Sequence, residues 1–115
     1  MDEALHQISD EFRGCGLLID NGAESSLAWE KATAIRVLSS LNGTKVAVAE
    51  VDVYVIEPWG PTETEESWIS FRQPGQTATD YAETSRRWAT QFISEHKGGD
   101  ETLYLLWFDD QRDAA

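Results

Sequence analysis

Glu50 and Asp52, in the stretch VAEVDVYVIE, are the side chains of this sequence best spaced for acid–base chemistry. Residues two apart on an extended chain point to the same side, so a strand here carries both carboxylates and the phenol of Tyr54 on one face. Two carboxyl groups held together can run a hydrolase, one as acid and the other as base or nucleophile. Acids on the wet face of a sheet need no such role, and that plainer reading competes with the first. Nucleophilic catalysis by Cys15 would require a histidine base and an electropositive setting to form the thiolate. His6 and His96 both sit in helix-like stretches, and Cys15 lies between two glycines, where a small buried thiol is expected.

One cysteine and two histidines, far apart in the chain, do not make metal-ligand spacing. Glu63, Glu65 and Glu66 form an acidic run that lacks the glycine and the fixed ligand positions of a calcium loop, so a solvated charge run is expected. There is no phosphate-cradling glycine loop, no G-x-S-x-G and no dinucleotide fingerprint. The reading from these residues is a chain without catalytic site, metal or cofactor.

Charge points toward a partner. The chain has 9 basic and 21 acidic side chains, a net charge of −12, so nucleic acid or an anionic membrane would be approached against repulsion. Arg86-Arg87 is the basic pair, and in so acidic a helix those arginines are expected to meet Glu83 or other local carboxylates. A basic protein surface fits better. Within EPWGP, Pro58 and Pro61 restrict the chain on either side of Trp59, so an exposed indole there would lose little entropy on docking. The competing expectation is that Trp59 folds back over the sheet, since large aromatics are mostly buried; Trp29, Trp68, Trp88 and Trp107 are expected in the core. Glu50, Asp52, Tyr54, Trp59, Glu63, Glu65 and Glu66 are the candidate partner-binding residues.

The elements that must position these residues follow from periodicity. Leu5, Ile8 and Phe12 recur at helical spacing over residues 2 to 13, with Asp2 and Glu3 in the first turn where the helix dipole favours anions. LLIDNG reads as a short extended piece closed by an Asn21-Gly22 turn. Ala28, Ala32, Ile35, Leu38 and Leu41 mark a second helix, stopped at Asn42-Gly43. Val46 to Ile56 is a strand with Ala47, Ala49, Val51, Val53 and Val55 toward the core, and Val46, Val48, Glu50, Asp52, Tyr54 and Ile56 on the opposite face. Glu57 to Ser67 reads as a connector and WISFR as a second strand. Thr77 to His96 is a helix with a capping box at Thr77 and Asp80 and a stripe of Tyr81, Ser85, Trp88, Phe92 and Ile93. TLYLLWF, apolar on both faces, is expected to be a central strand, and DDQRDAA an acidic tail from about residue 109. The order ααββαβ describes an α+β fold, two to three helices packed on a small, mainly antiparallel sheet of three to four strands.

A chain of 115 residues with 41% apolar side chains can bury a core as one domain. A lone cysteine permits no internal disulfide, and the acidic start MDEALHQISDEF has neither the basic end nor the apolar run of a signal peptide, so a cytoplasmic protein is expected.

VDVYVIEPWGPTETEESWISFRQPG, TATDYAETSRRWATQFISEH and TLYLLWF together resemble the immunity protein 40 family of bacterial polymorphic-toxin systems. The similar features are Asp52-Val53-Tyr54 on a strand, a Pro61 connector, Trp68 opening the next strand, Pro74-Gly75, and a helix with Tyr81 and Ser85; Glu50 and Val51 stand where the family has glycines. The resemblance implies a non-catalytic, cytoplasmic protein that binds and neutralises a cognate toxin encoded nearby, with no contact residues to carry over. Two rival readings stand beside it: a small hydrolase using Glu50 and Asp52, and a structural or regulatory module that forms a homodimer through a sheet edge.

Overall fold

The computed structural model describes residues 7–20 and 25–111. The elements run α1 (Asp10–Cys15), β1 (Leu17–Asp20), β2 (Ser25–Trp29), α2 (Lys31–Ser40), β3 (Ala47–Glu57), β4 (Gly60–Ile69), α3 (Ala78–Glu95) and β5 (Thr102–Asp109). The strands form one antiparallel sheet in the order β1-β2-β5-β3-β4. The α+β class stands, while the sheet has five strands instead of three to four and the order is αββαββαβ instead of ααββαβ.

Local pattern misleads at β2, which is added, and at β4, which occupies Gly60–Ile69 in place of the strand expected at residues 68–72. Ala28 fits a helical stripe in sequence, yet SSLAW pairs with β1 on one side and β5 on the other, and Trp29 fills the core beneath the helices. Ser26 makes the strand tolerable in the interior by donating its hydroxyl to Leu106 O at 2.7 Å. The glutamate-rich stretch read as a connector is β4, the partner of β3 in a hairpin; its acids face water because it is an edge strand. The Asn21-Gly22 turn and the Leu5 turn of the first helix lie outside the described residues.

β5 is the central strand that its two-sided apolarity predicts. Tyr104, Leu106 and Phe108 join Leu27, Trp29, Val48, Val51 and Val53 under Ala34, Val37 and Leu38 of α2 and Ala89 and Ile93 of α3. On the other face Leu105 clusters with Ile19, Ala28 and Tyr54, flanked by Leu103 and Trp107, and none of the described helical residues joins them. Each fully buried large side chain contributes roughly 1.5–3 kcal/mol, so the helix-side cluster holds the fold and the second cluster adds to it.

The register of β3 breaks between Val48 and Glu50 against β5. This bulge corrects the strict alternation expected from sequence. Val51 and Val53 face the helices as predicted, and Glu50, Asp52 and Tyr54 the other side, but before the bulge it is Val46 and Val48, the residues assigned to the far face, that enter the helix-side core. α3 secures the irregular segment. Ser85 Oγ accepts from Val48 N at 2.9 Å, Ser70 Oγ donates to Val48 O at 2.6 Å, and Arg86 Nη1 donates to Val46 O at 2.6 Å and Thr44 O at 3.1 Å. Hydroxyls and a guanidinium thus satisfy backbone groups near the bulge. Arg86 is therefore buried inside the fold, not paired at the surface with Glu83.

α3 starts as predicted, with Thr77 Oγ1 accepting from Asp80 N at 3.0 Å. Its buried stripe is Ala78, Tyr81, Ala82, Ser85, Arg86, Ala89 and Ile93; Trp88, expected in the core, is half exposed. After β5 the side chain of Gln111 turns inward and donates to Lys45 O at 2.7 Å and Ala78 O at 2.8 Å.

Candidate partner-binding surface

The β3–β4 hairpin closes between Glu57 and Gly60, leaving Pro58 and Trp59 as a two-residue turn. Gly60 has φ +123°, a conformation that side-chain-bearing residues rarely adopt, and this sets the reversal. The turn projects Trp59, which is 78% exposed, so the expectation that its ring folds back over the sheet does not hold. Its indole N–H donates to Thr62 Oγ1 at 3.0 Å, and that hydroxyl donates to Gly60 O at 3.3 Å, so the exposed ring is tethered to its own hairpin.

Glu63 lies opposite Tyr54 on the face away from the helices, and Ser67 opposite Asp52. Between these pairs the register slips, because three residues of β4, 64–66, stand against Val53 alone. Tyr54 is 8% exposed. Burial raises its phenol above the ordinary 10.0, and the carboxylates of Glu63, Asp52 and Glu50 push the same way. These four residues form one electrostatic cluster, as a shared face predicts. Asp52 is buried and accepts the indole N–H of Trp107 at 2.9 Å, while Glu50 is half-buried opposite Ile69 and Trp107.

Glu65 and Glu66 are exposed in the slipped segment. Glu66 pairs with His96 Nε2, and His96 Nδ1 meets Tyr104 OH at 2.8 Å. The His96 ring stands edge-on to Tyr104 and tilted against Phe92, and its backbone carbonyl accepts from Lys31 Nζ. Burial, then Glu66, raises the Tyr104 phenol. His96 thus ties β4 to the end of α3 and to the sheet centre. Its sequence signal was weak, because its partners lie 30 residues upstream and 8 downstream.

The seven sequence-derived candidates therefore divide. Trp59, Glu63, Glu65 and Glu66 stand in the open along the hairpin; Glu50 is intermediate; Asp52 and Tyr54 are buried beneath them. Sequence reasoning passed over Ile69, Phe71 and Trp88, all large, apolar and exposed. Cys15, expected buried, is exposed at the end of α1, and His6 lies outside the described residues. Among the described residues no three His, Cys, Asp or Glu side chains stand together as metal ligands. Grooves of about 500 Å³ between α2 and α3 and about 570 Å³ beside residues 72–77 lie away from Glu50 and Asp52. Among the described residues no helix is long and apolar enough to cross a membrane.

Residues 15–108 match the family model described as Immunity protein 40. No curated protein and no solved structure matches the chain.

Proposed function

The chain belongs to the immunity protein 40 family, and from that premise we propose that it binds a cognate bacterial toxin and neutralises it by stoichiometric occlusion, catalysing nothing itself. The observation that carries this reading is the hairpin, where a rigid turn presents an exposed tryptophan beside three exposed glutamates on the same edge strand. Tryptophan in a low-entropy setting is a favoured interface anchor, and the acids steer a basic partner and orient it. Trp59, Glu63, Glu65 and Glu66 would touch the toxin, Glu50 would lie at the margin, and the buried Asp52 and Tyr54 would hold the charges in place.

The net charge of −12 supports a toxin with a basic surface, and makes nucleic acid or an anionic membrane a poor direct partner. It also weighs against a homodimer through the β4 edge, since a second copy would bring glutamates against glutamates. The same toxin-facing role fits a cytoplasmic protein of a bacterial polymorphic-toxin system. Co-expression with the toxin domain encoded beside this chain is expected to restore growth and to yield a one-to-one complex. Neither rescue nor complex would end the proposal.

A further inference from the structure

Among the large apolar side chains that stand exposed are Trp59, Ile69, Phe71 and Trp88, around β4 and on α3. Their placement is ordered. Trp59 lies at the turn that opens β4, Ile69 is the last residue of the strand, and Phe71 follows two positions later. Because three of its residues bulge against Val53, β4 runs alongside only Glu50–Glu57 and spans about 23 Å at about 3.3 Å per residue, with Trp59 and Phe71 beyond its two ends. Between them lie Glu63, Glu65 and Glu66.

The backbone that carries Phe71 is tied into the turn that follows it. Gln73 Nε2 donates to Phe71 O at 3.1 Å, Gln73 N to Gln76 Oε1 at 3.0 Å, Gln76 N to Gln73 O at 3.0 Å, and Arg72 Nε to Gln76 O at 2.8 Å. The turn after β4 is thereby closed on itself. Trp88 shares a helical stripe with Tyr81 and His96, and these two reach Ser70, just past the end of β4, and Glu66 within it. It therefore lies between these two along α3, on the side of the helix from which they reach toward the edge strand.

We infer that the toxin covers the whole outer edge of β4, gripping Trp59 at one end and Phe71 at the other with Trp88 on the adjoining flank of α3, through a strip of Lys and Arg flanked by apolar pockets at both ends. This rests on the proposed function and adds to it a second anchor that the acidic hairpin alone does not supply. Edge length and charge both favour it: a contact of this span fits an interface of standard size, and the acidic middle repels a second copy of the chain while attracting a basic strip. Continuous strand addition is opposed by Pro61 and by the slipped segment 64–66, so side chains carry the contact.

The test is titration of the full chain against the toxin domain encoded beside it, using Trp59→Ala, Phe71→Ala, Trp88→Ala, the Trp59/Phe71 double variant, and Leu18→Ala on the far edge strand as a control. Each aromatic substitution is expected to weaken binding about tenfold or more, the two distant anchors to combine multiplicatively, and the control to match wild type. Circular dichroism confirms that each variant is folded. Unchanged affinity for Phe71→Ala and Trp88→Ala, with wild type binding normally, would overturn the second anchor and leave the proposed function standing. Wild type failing to bind the toxin would overturn both.

Discussion

The indole of Trp107 on β5 donates its N–H to Asp52 on β3 at 2.9 Å, so the carboxylate that sequence offered most openly to a substrate or a partner is engaged inside the sheet. The two residues are not directly opposite: Asp52 faces Leu105 and Trp107 faces Glu50, and the bond crosses the ladder diagonally on the face without helices. Asp52→Ala leaves that part-buried N–H without its partner and is expected to cost about 1 kcal/mol of stability, measured by urea unfolding. Asp52→Asn, which keeps an acceptor, is expected to lose less. Equal stability of the alanine variant and wild type would show that the bond contributes nothing.

The hairpin separates stability from recognition. Trp59→Ala is expected to change unfolding free energy by no more than about 0.5 kcal/mol, because the ring is exposed. Gly60→Ala, at φ +123°, is expected to destabilise by about 1–3 kcal/mol. Denaturant titration of the two variants side by side distinguishes them.

Alkali should loosen the fold. The Tyr54 and Tyr104 phenols are both raised above 10.0, chiefly by burial. Above the ordinary phenol value the unfolded chain gives up these protons while the folded chain keeps them, so the folded state binds more protons and stability falls as pH rises. Their contribution is intact below pH 10 and is lost as pH climbs through the raised values. Tyr54→Phe and Tyr104→Phe are each expected to flatten the decline in melting temperature between pH 9 and 11; a slope unchanged in both variants would refute the assignment.

Arg86 and Arg87 are adjacent in sequence and opposite in role. Arg86→Ala removes the donor shared by Thr44 O and Val46 O and is expected to cost about 3 kcal/mol. Arg87, exposed on α3, is expected to tolerate alanine within about 0.5 kcal/mol. Thermal unfolding of the pair is the check.

Legibility in sequence followed the range of the interactions. The capped helix at Thr77 to His96 and the central strand at Thr102 were readable because a cap, a 3.6-residue stripe and a two-sided apolar run are all local. The face shared by Glu50, Asp52 and Tyr54 was readable too, since alternation holds within β3 once the bulge is passed. Ala28 and the β4 glutamates were misassigned because a short segment becomes a strand through its neighbours in the sheet, and SSLAW and GPTETEESWI find theirs far along the chain or across a turn. The exposure of Trp88 escaped and that of Trp59 stood open for a related reason: exposure depends on which elements pack beside a ring, and composition holds no record of that.

By itself the sequence determined the α+β class, the acidic balance, the long amphipathic α3 and the central place of β5, all properties of side-chain type and spacing along a continuous stretch. Only the tertiary structure decided that EPWGP is a hairpin tip holding its indole in water, that Asp52 is engaged by Trp107, that His96 ties Glu66 to Tyr104, and that Trp59 and Phe71 mark the ends of one edge strand. Each depends on strand register and helix docking. These are fixed by contacts between residues tens of positions apart, where a bulge of one or two residues changes which face a side chain meets.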